Sequence, residues 1–260
     1  MRENPEGQIL TEIEGDVGLL TISNPLNRNA MNLFMYHEIP SAISQLIKVG
    51  ARVIIVQGQG NEAFGSGSDI SEFTELRSPE NAEAYDQAEA DAHNAFASVT
   101  VPTIAMIHGA CRGGGLAIAL SCDLRFASET ASFAAPPAKL GIAFPHEAVE
   151  SLTHTVGDAN ARYMLLTAAT IDAHEAYRIG LIHGISQKSK LKQDVDSIAS
   201  KICQLAPRSL SAAKISLANV QGKSSQEDVR RASSACYSSN DYQEGITAFI
   251  EKRTPDFDGT

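Results

Sequence analysis

Residues 104–121, IAMIHGACRGGGLAIALS, decide how the chain is read. A short apolar run suited to a strand delivers Gly113, Gly114 and Gly115, and a second apolar run at 116–120 continues as a helix. Without Cβ atoms these glycines let a reacting group approach the main chain, and the helix start aims N–H groups and its positive end at developing negative charge. That geometry suits oxyanion stabilisation. A glycine triplet is also an ordinary tight turn, so alone it is a weak motif. Working outward, residues 63–73, AFGSGSDISEF, follow a strand-like run at 53–56 and the turn formers Gly58, Gln59 and Gly60. Two glycine-bearing loops, each behind a strand, can supply one N–H apiece.

Composition bounds the rest. A chain of 260 residues with 43% hydrophobic content suits one large domain, or a domain with a small appendage. The formal charge of −10, with Lys and Arg scattered, argues against a nucleic-acid surface but leaves room for a polyanionic group at a local basic spot. Cys111, Cys122, Cys203 and Cys236 form no C-x-x-C pair and no metal-site spacing, so no metal is expected, and they read as buried thiols of a reducing compartment. The N-terminal MRENPEGQIL lacks an apolar signal core, and no apolar run approaches the roughly 20 residues that span a bilayer. A cytoplasmic protein with no membrane partner is expected.

Along the chain, strands are predicted at 9–14, 17–23 and 53–57, with a helix at 32–49 between the second and third. An acidic helix at 82–98 follows, with Glu83, Asp86, Glu89 and Asp91 expected on a solvated face. After the glycine triplet and its helix come strands at 124–127 and 132–133. From 147 onward the pattern is helical, at 147–155, 160–166, 173–179, 192–206, 209–219 and 226–235. Strands come early and helices late, which suggests repeated strand–strand–helix units capped by a helical tail.

Several segments, in order and almost end to end, now resemble the crotonase superfamily of enoyl-CoA hydratases and isomerases. They are RNAMN at 28–32, the AFGSGSDI loop, HGACRGGG with Cys122 and Asp123, SFAAPPAKLGI, LLTAATIDAHEAYRIGLI at 165–182 and DYQEGITAFIEKR at 241–253. The resemblance implies an α/β fold, a crotonase-like spiral of ββα repeats at 1–200 with a C-terminal helical oligomerisation region at 201–260. It implies a homotrimer or dimer of trimers acting on acyl-CoA thioesters, with coenzyme A as part of the substrate and no permanently bound cofactor. The N–H groups of Ser68 and Gly114 would hold an enolate. Arg28, Ser66, Asp69 and Ile70 would meet the nucleotide and pantetheine of CoA, and Phe249 and Lys252 its adenosine phosphate region.

The same resemblance places the two hydratase glutamates on Ala117 and Pro137, which exchange no proton. Isomerisation or decarboxylation through the enolate is therefore expected over plain hydration. The replacement proton carriers are His146 and Glu147, which also read as an ordinary helix start after Pro145, with Glu72 behind them and Glu150 further back. His108 and Asp123 read as structural. SFAAPPAKLGIAFP and the C-terminal tail are similar in type to methylmalonyl-CoA decarboxylases, although the histidine and tyrosine of that group fall on Ser68 and Phe144. The alternatives are a non-catalytic acyl-CoA-binding protein and a thioester or carbon–carbon bond hydrolase.

Overall fold

The computed structural model describes residues 7–260, so the N-terminal stretch read for a signal core lies largely outside the described residues. The chain opens with an antiparallel hairpin, β1 (Gln8–Glu14) and β2 (Val17–Ser23), turned at Gly15. Helix α1 (Leu33–Lys48) follows, its first turn capped by the Asn32 side chain, which accepts from Met35 N at 2.8 Å.

Three strand–strand–helix passages come next. They are β3 (Val53–Gly58), β4 (Ala63–Gly65), the short α2 (Phe73–Leu76) and α3 (Ala82–Ser98); β5 (Thr103–Ile107), β6 (Ala110–Arg112) and α4 (Gly114–Ser121); and β7 (Leu124–Ser128), β8 (Ser132–Ala134) and α5 (His146–Thr167). Then come β9 (Thr170–Asp172), α6 (Ala173–Arg178), β10 (Gly184–Ser186), α7 (Leu191–Cys203), α8 (Pro207–Val220), α9 (Gln226–Tyr237) and α10 (Asn240–Glu251). The first strand of each passage enters a six-stranded sheet of order β1-β2-β3-β5-β7-β10, and the second enters a four-stranded sheet of order β4-β6-β8-β9. Pairing is parallel except for β1 with β2 and β8 with β9. This is the expected α/β spiral of ββα repeats.

The central strands are buried on both faces, as parallel strands between layers must be. Ile54, Val56, Ala105 and Ile107 face the main core, whereas Val53, Ile55, Ile104 and Met106 alternate to the other face beneath Leu191, Val195 and Ala199 of α7. The two helices expected at 147–155 and 160–166 run on as α5, interrupted at Gly157 (φ 77°). The three-residue strands β4, β6, β9 and β10 carry no readable alternation, and the final helix α10 lies beyond the last helix that periodicity predicts. Lys214 of α8 reaches back to Asp123 at 2.6 Å, and Arg52 holds the Phe257 carbonyl at 2.8 Å, so the C-terminal helices are tied to the sheet. No helix among the described residues is long and apolar enough to cross a membrane. Of the four thiols, Cys111 and Cys122 are buried, but Cys203 and Cys236 are only partly so, because they lie on the outer helices α7 and α9.

Candidate functional site

The two glycine loops meet. The chain leaves β4 at Gly65 and passes through Gly67 (φ 116°), and opposite it the chain leaves β6 through Gly113 (φ 51°) into α4. A Cβ on Gly115 would lie 2.4 Å from the Gly65 carbonyl, so the approach requires glycine there. The register of the first loop is fixed by residues near RNAMN: Met31 N donates to Gly67 O at 2.8 Å and Asp69 N to Met31 O at 2.7 Å. Because Met31 uses the groups on either side of Ser68, the Ser68 N–H turns away from that bridge. Gly114 N, at the first position of α4, has no helical acceptor by construction. Among the described residues no carbonyl accepts from either N–H. The two loops are in van der Waals contact: a Cβ on Gly114 would lie 3.4 Å from Ser68 N, and one on Gly67 would lie 3.6 Å from Gly114 N.

These loops floor an open cleft walled by Ile70, Phe73, Leu140, Ile142, Ala143 and Phe144. Its polar lining is Ser66, Ser68, Arg77, Glu89 and His93. Ser68 Oγ donates to Glu89 Oε1 at 2.6 Å and lies 2.9 Å from the hydroxyl of Tyr36, which is fully buried in α1. Since the serine proton goes to the carboxylate, the tyrosine donates to the serine. Arg77 donates to both Glu89 oxygens, at 3.4 and 3.2 Å, pairs with Asp86, and stacks over Phe73 and Tyr85. Glu89 is only 3% exposed. Burial raises its pKa, and the Ser68 hydrogen bond and the Arg77 charge oppose that rise without cancelling it. The Tyr36 phenol is pushed well up by burial and by the Glu89 charge.

His93 is equally buried, and among the described residues neither ring nitrogen has a partner. Burial pushes its pKa down to about 4, against a smaller upward pull from Glu147, so the ring is neutral near pH 7. The acidic helix therefore differs from its expected solvated form. Glu83, Asp86 and Asp91 are exposed, but Glu89 turns inward beside Tyr85, Ala88 and Ala92, where Arg77 and Ser68 satisfy it.

A family model described as enoyl-CoA hydratase/isomerase matches residues 12–260. The chain belongs to the enoyl-CoA hydratase/isomerase family. It is 33% identical over 260 residues to a crotonyl-CoA hydratase of Syntrophomonas wolfei, covering 96% of this chain and 97% of that one. It is 32% identical over 253 residues to a short-chain-enoyl-CoA hydratase of Clostridium acetobutylicum, with 94% and 95% covered. A solved enoyl-CoA hydratase/carnitine racemase from Magnetospirillum magneticum superposes with a TM-score of 0.90 at 30% identity, over 97% of this chain and 96% of that one. The expected crotonase fold is thus the observed one.

Of the residues picked out from the sequence, Ser66, Ser68, Ile70 and Gly114 line this cleft. Arg28 is exposed at its edge, its carbonyl accepting from Ser66 N at 3.1 Å. Asp69 turns aside to cap the next turn, accepting from Ser71 N at 3.0 Å. Phe249 is 85% exposed near the end of α10 and Lys252 caps that helix. His146 is exposed as the first residue of α5 and Glu147 is half-buried behind it; neither is in the cleft lining, where Phe144 and Pro145 stand instead. Glu72 is engaged elsewhere, accepting from Leu33 N at 2.9 Å at the start of α1. Glu150 pairs with Lys223. His108 and Asp123 are structural, the first at 2.9 Å from the Gly58 carbonyl and the second accepting from Thr103 N and Oγ1. Ala117 is buried inside α4, and Pro137 presents a ring to the cleft. Sequence reasoning passed over Tyr36, Arg77, Glu89 and His93. The available signal was that Tyr85, Glu89 and His93 recur every four residues beside the apolar stripe of α3.

Proposed function

We propose that this chain acts on an acyl-CoA thioester, holding its enolate oxygen with the N–H groups of Ser68 and Gly114, and that it catalyses isomerisation or decarboxylation rather than plain hydration. The observation that carries this reading is the pair of unengaged N–H groups at the floor of an apolar cleft. Such donors are preorganised for charge that appears only as the reaction proceeds, and in a dry site each is worth a factor of about 10² to 10³ in rate. Ala117 and Pro137 supply no proton, which disfavours the two-carboxylate addition of water.

Coenzyme A enters as part of the substrate, with Arg28 and the 66–70 loop at its nucleotide and pantetheine and with Phe249 and Lys252 at its adenosine phosphate. Exposed Leu217, Val220, Tyr237, Phe249 and Ile250 on the C-terminal helices suit a subunit interface, and the same reading has the protein cytoplasmic and assembled as a homotrimer or dimer of trimers. The test offers purified protein crotonyl-CoA, a 3-enoyl-CoA and a malonyl-type CoA ester. Conversion of the 3-enoyl ester, or release of carbon dioxide from the malonyl type, is expected. Robust hydration of crotonyl-CoA would overturn the preference. Binding of every ester with no turnover would make the chain a binding protein, and free thiol release a hydrolase.

A further inference from the structure

The cleft contains a proton-transfer group that the glutamate positions of the family do not account for. Among its lining residues, only Glu89 and His93 can exchange a proton in the ordinary pH range, because a guanidinium stays charged and an aliphatic hydroxyl stays protonated. The two differ in how they are held. No described group touches a His93 nitrogen, and the depressed pKa leaves a weak base. Glu89 is fixed from two sides: Oε1 accepts from Ser68 Oγ and Arg77 Nη1, and Oε2 accepts only from Arg77 Nη2 among the described residues. One lone pair of Oε2 is thus uncommitted. Ser68 joins this carboxylate to the oxyanion floor, since its hydroxyl contacts Glu89 while its own N–H is one of the two oxyanion donors.

We propose that Glu89 is the catalytic acid/base, moving a proton between the α and γ carbons of an enoyl-CoA thioester; this rests on the enolate reading above. The carboxylate takes the α proton of a 3-enoyl ester, forming O–H as C–H breaks. The electron pair moves to the thioester oxygen, held by Ser68 N–H and Gly114 N–H. Glu89 then returns the same proton to the γ carbon as the double bond settles between the α and β carbons. One group suffices for this shift, and no water or co-reactant is consumed. Burial that raises the carboxyl pKa brings it nearer the operating pH, where a group both accepts and returns protons well. The groups facing the carboxylate are Arg77, Asp86, Tyr36 and Tyr85, with His93 one helical turn away; Arg77 and Ser68 keep its ionised form accessible.

The experiment follows two readouts: α-proton exchange of butyryl-CoA in deuterated water, by NMR, and conversion of a 3-enoyl-CoA to the conjugated ester. In Glu89→Gln, whose side-chain oxygen still accepts from Ser68, both rates are expected to fall by about 10² to 10⁴-fold, with butyryl-CoA affinity by calorimetry within about threefold. In Ser68→Ala the backbone N–H stays but the carboxylate loses a donor. The acidic limb of the exchange rate against pH is then expected to move to higher pH, a shift that also reports on Glu89 should the glutamine variant fold poorly. Wild-type exchange rates in Glu89→Gln, or an unmoved acidic limb in Ser68→Ala, would overturn the assignment alone. A wild-type protein that binds butyryl-CoA yet exchanges no α proton would instead overturn the enolate reading, and this assignment with it.

Discussion

Replacing His93 by leucine should remove an acid sensitivity built into α3. The ring is 3% exposed, has no partner at either nitrogen among the described residues, and has its pKa pushed down from 6.5 to about 4 by burial. A group whose folded pKa is depressed contributes stability that is present above its unfolded pKa and is lost as pH falls toward the folded value. The unfolded chain then binds the proton that the native state refuses. With these two values, the penalty accumulated between about pH 7 and about pH 5 is about 2 kcal/mol. Glu89 works in the opposite sense: its raised pKa gives stability that is fully present at low pH and lost as pH rises through the carboxyl range. Both proteins share that contribution, so subtracting one from the other cancels it to first order. The assay is urea unfolding of wild type and His93→Leu at the two pH values, at one protein concentration because assembly shifts apparent stability. For a slope near 3 kcal/mol per molar, the wild-type midpoint should fall by roughly 0.7 M more than that of the variant. Near pH 7 the variant should be at least as stable as wild type, since an apolar side chain leaves no unsatisfied nitrogen. Equal acid sensitivity in the two proteins would refute a buried, neutral, unpartnered His93.

Three further outcomes are expected. Gly114→Ala places a methyl 2.2 Å from the Tyr36 hydroxyl and 3.2 Å from Ser68 Oγ, so kcat/KM on the best ester should fall at least about 10²-fold, measured by steady-state turnover. Asp123→Ala strips the acceptor from Thr103 N, Thr103 Oγ1 and Lys214 Nζ, and urea unfolding should show a loss of about 1–3 kcal/mol with KM unchanged. Arg28→Ala should raise KM for CoA esters roughly two- to fivefold without changing kcat, and the difference should shrink as salt is added.

Much of the scaffold is legible in the sequence because the same residues do local and global work. Glycine at 113–115 permits a turn that few other residues adopt, and the apolar runs at 53–56 and 104–107 are long enough to mark strands buried on both faces. The meeting of the two glycine loops is legible for a related reason: glycine leaves its backbone open to close approach, and that is visible in the letters, whereas the assignment of the donors to Ser68 and Gly114 comes from the family resemblance. The alternation within β3 and β5 is less so, since both faces are apolar and only the packing of α7 separates them.

The polar side of the cleft follows a different logic. Glu89 sits in a helix whose acidic residues otherwise face solvent, and only its four-residue spacing from Tyr85 and from His93 distinguishes it from Glu83 or Asp91. What buries it is assembled from afar: Tyr36 comes from α1, Ser68 from the loop after β4, and Arg77 from the turn leading into α3. A carboxylate is stable there because Ser68 and Arg77 both donate to it, with Tyr36 donating in turn to Ser68, for one left unpaired at that depth would be neutralised or driven outward. Sequence periodicity reads a helix by its apolar stripe and assigns charges to the other side by default. It therefore errs at the residue whose burial the tertiary structure has to offset. The proposed main-chain donors Ser68 and Gly114 can persist with Ala117 and Pro137 in place, because their N–H groups depend on loop geometry alone. An acid/base carboxylate is constrained only to reach the substrate carbons, and α3 can present one as readily as α4.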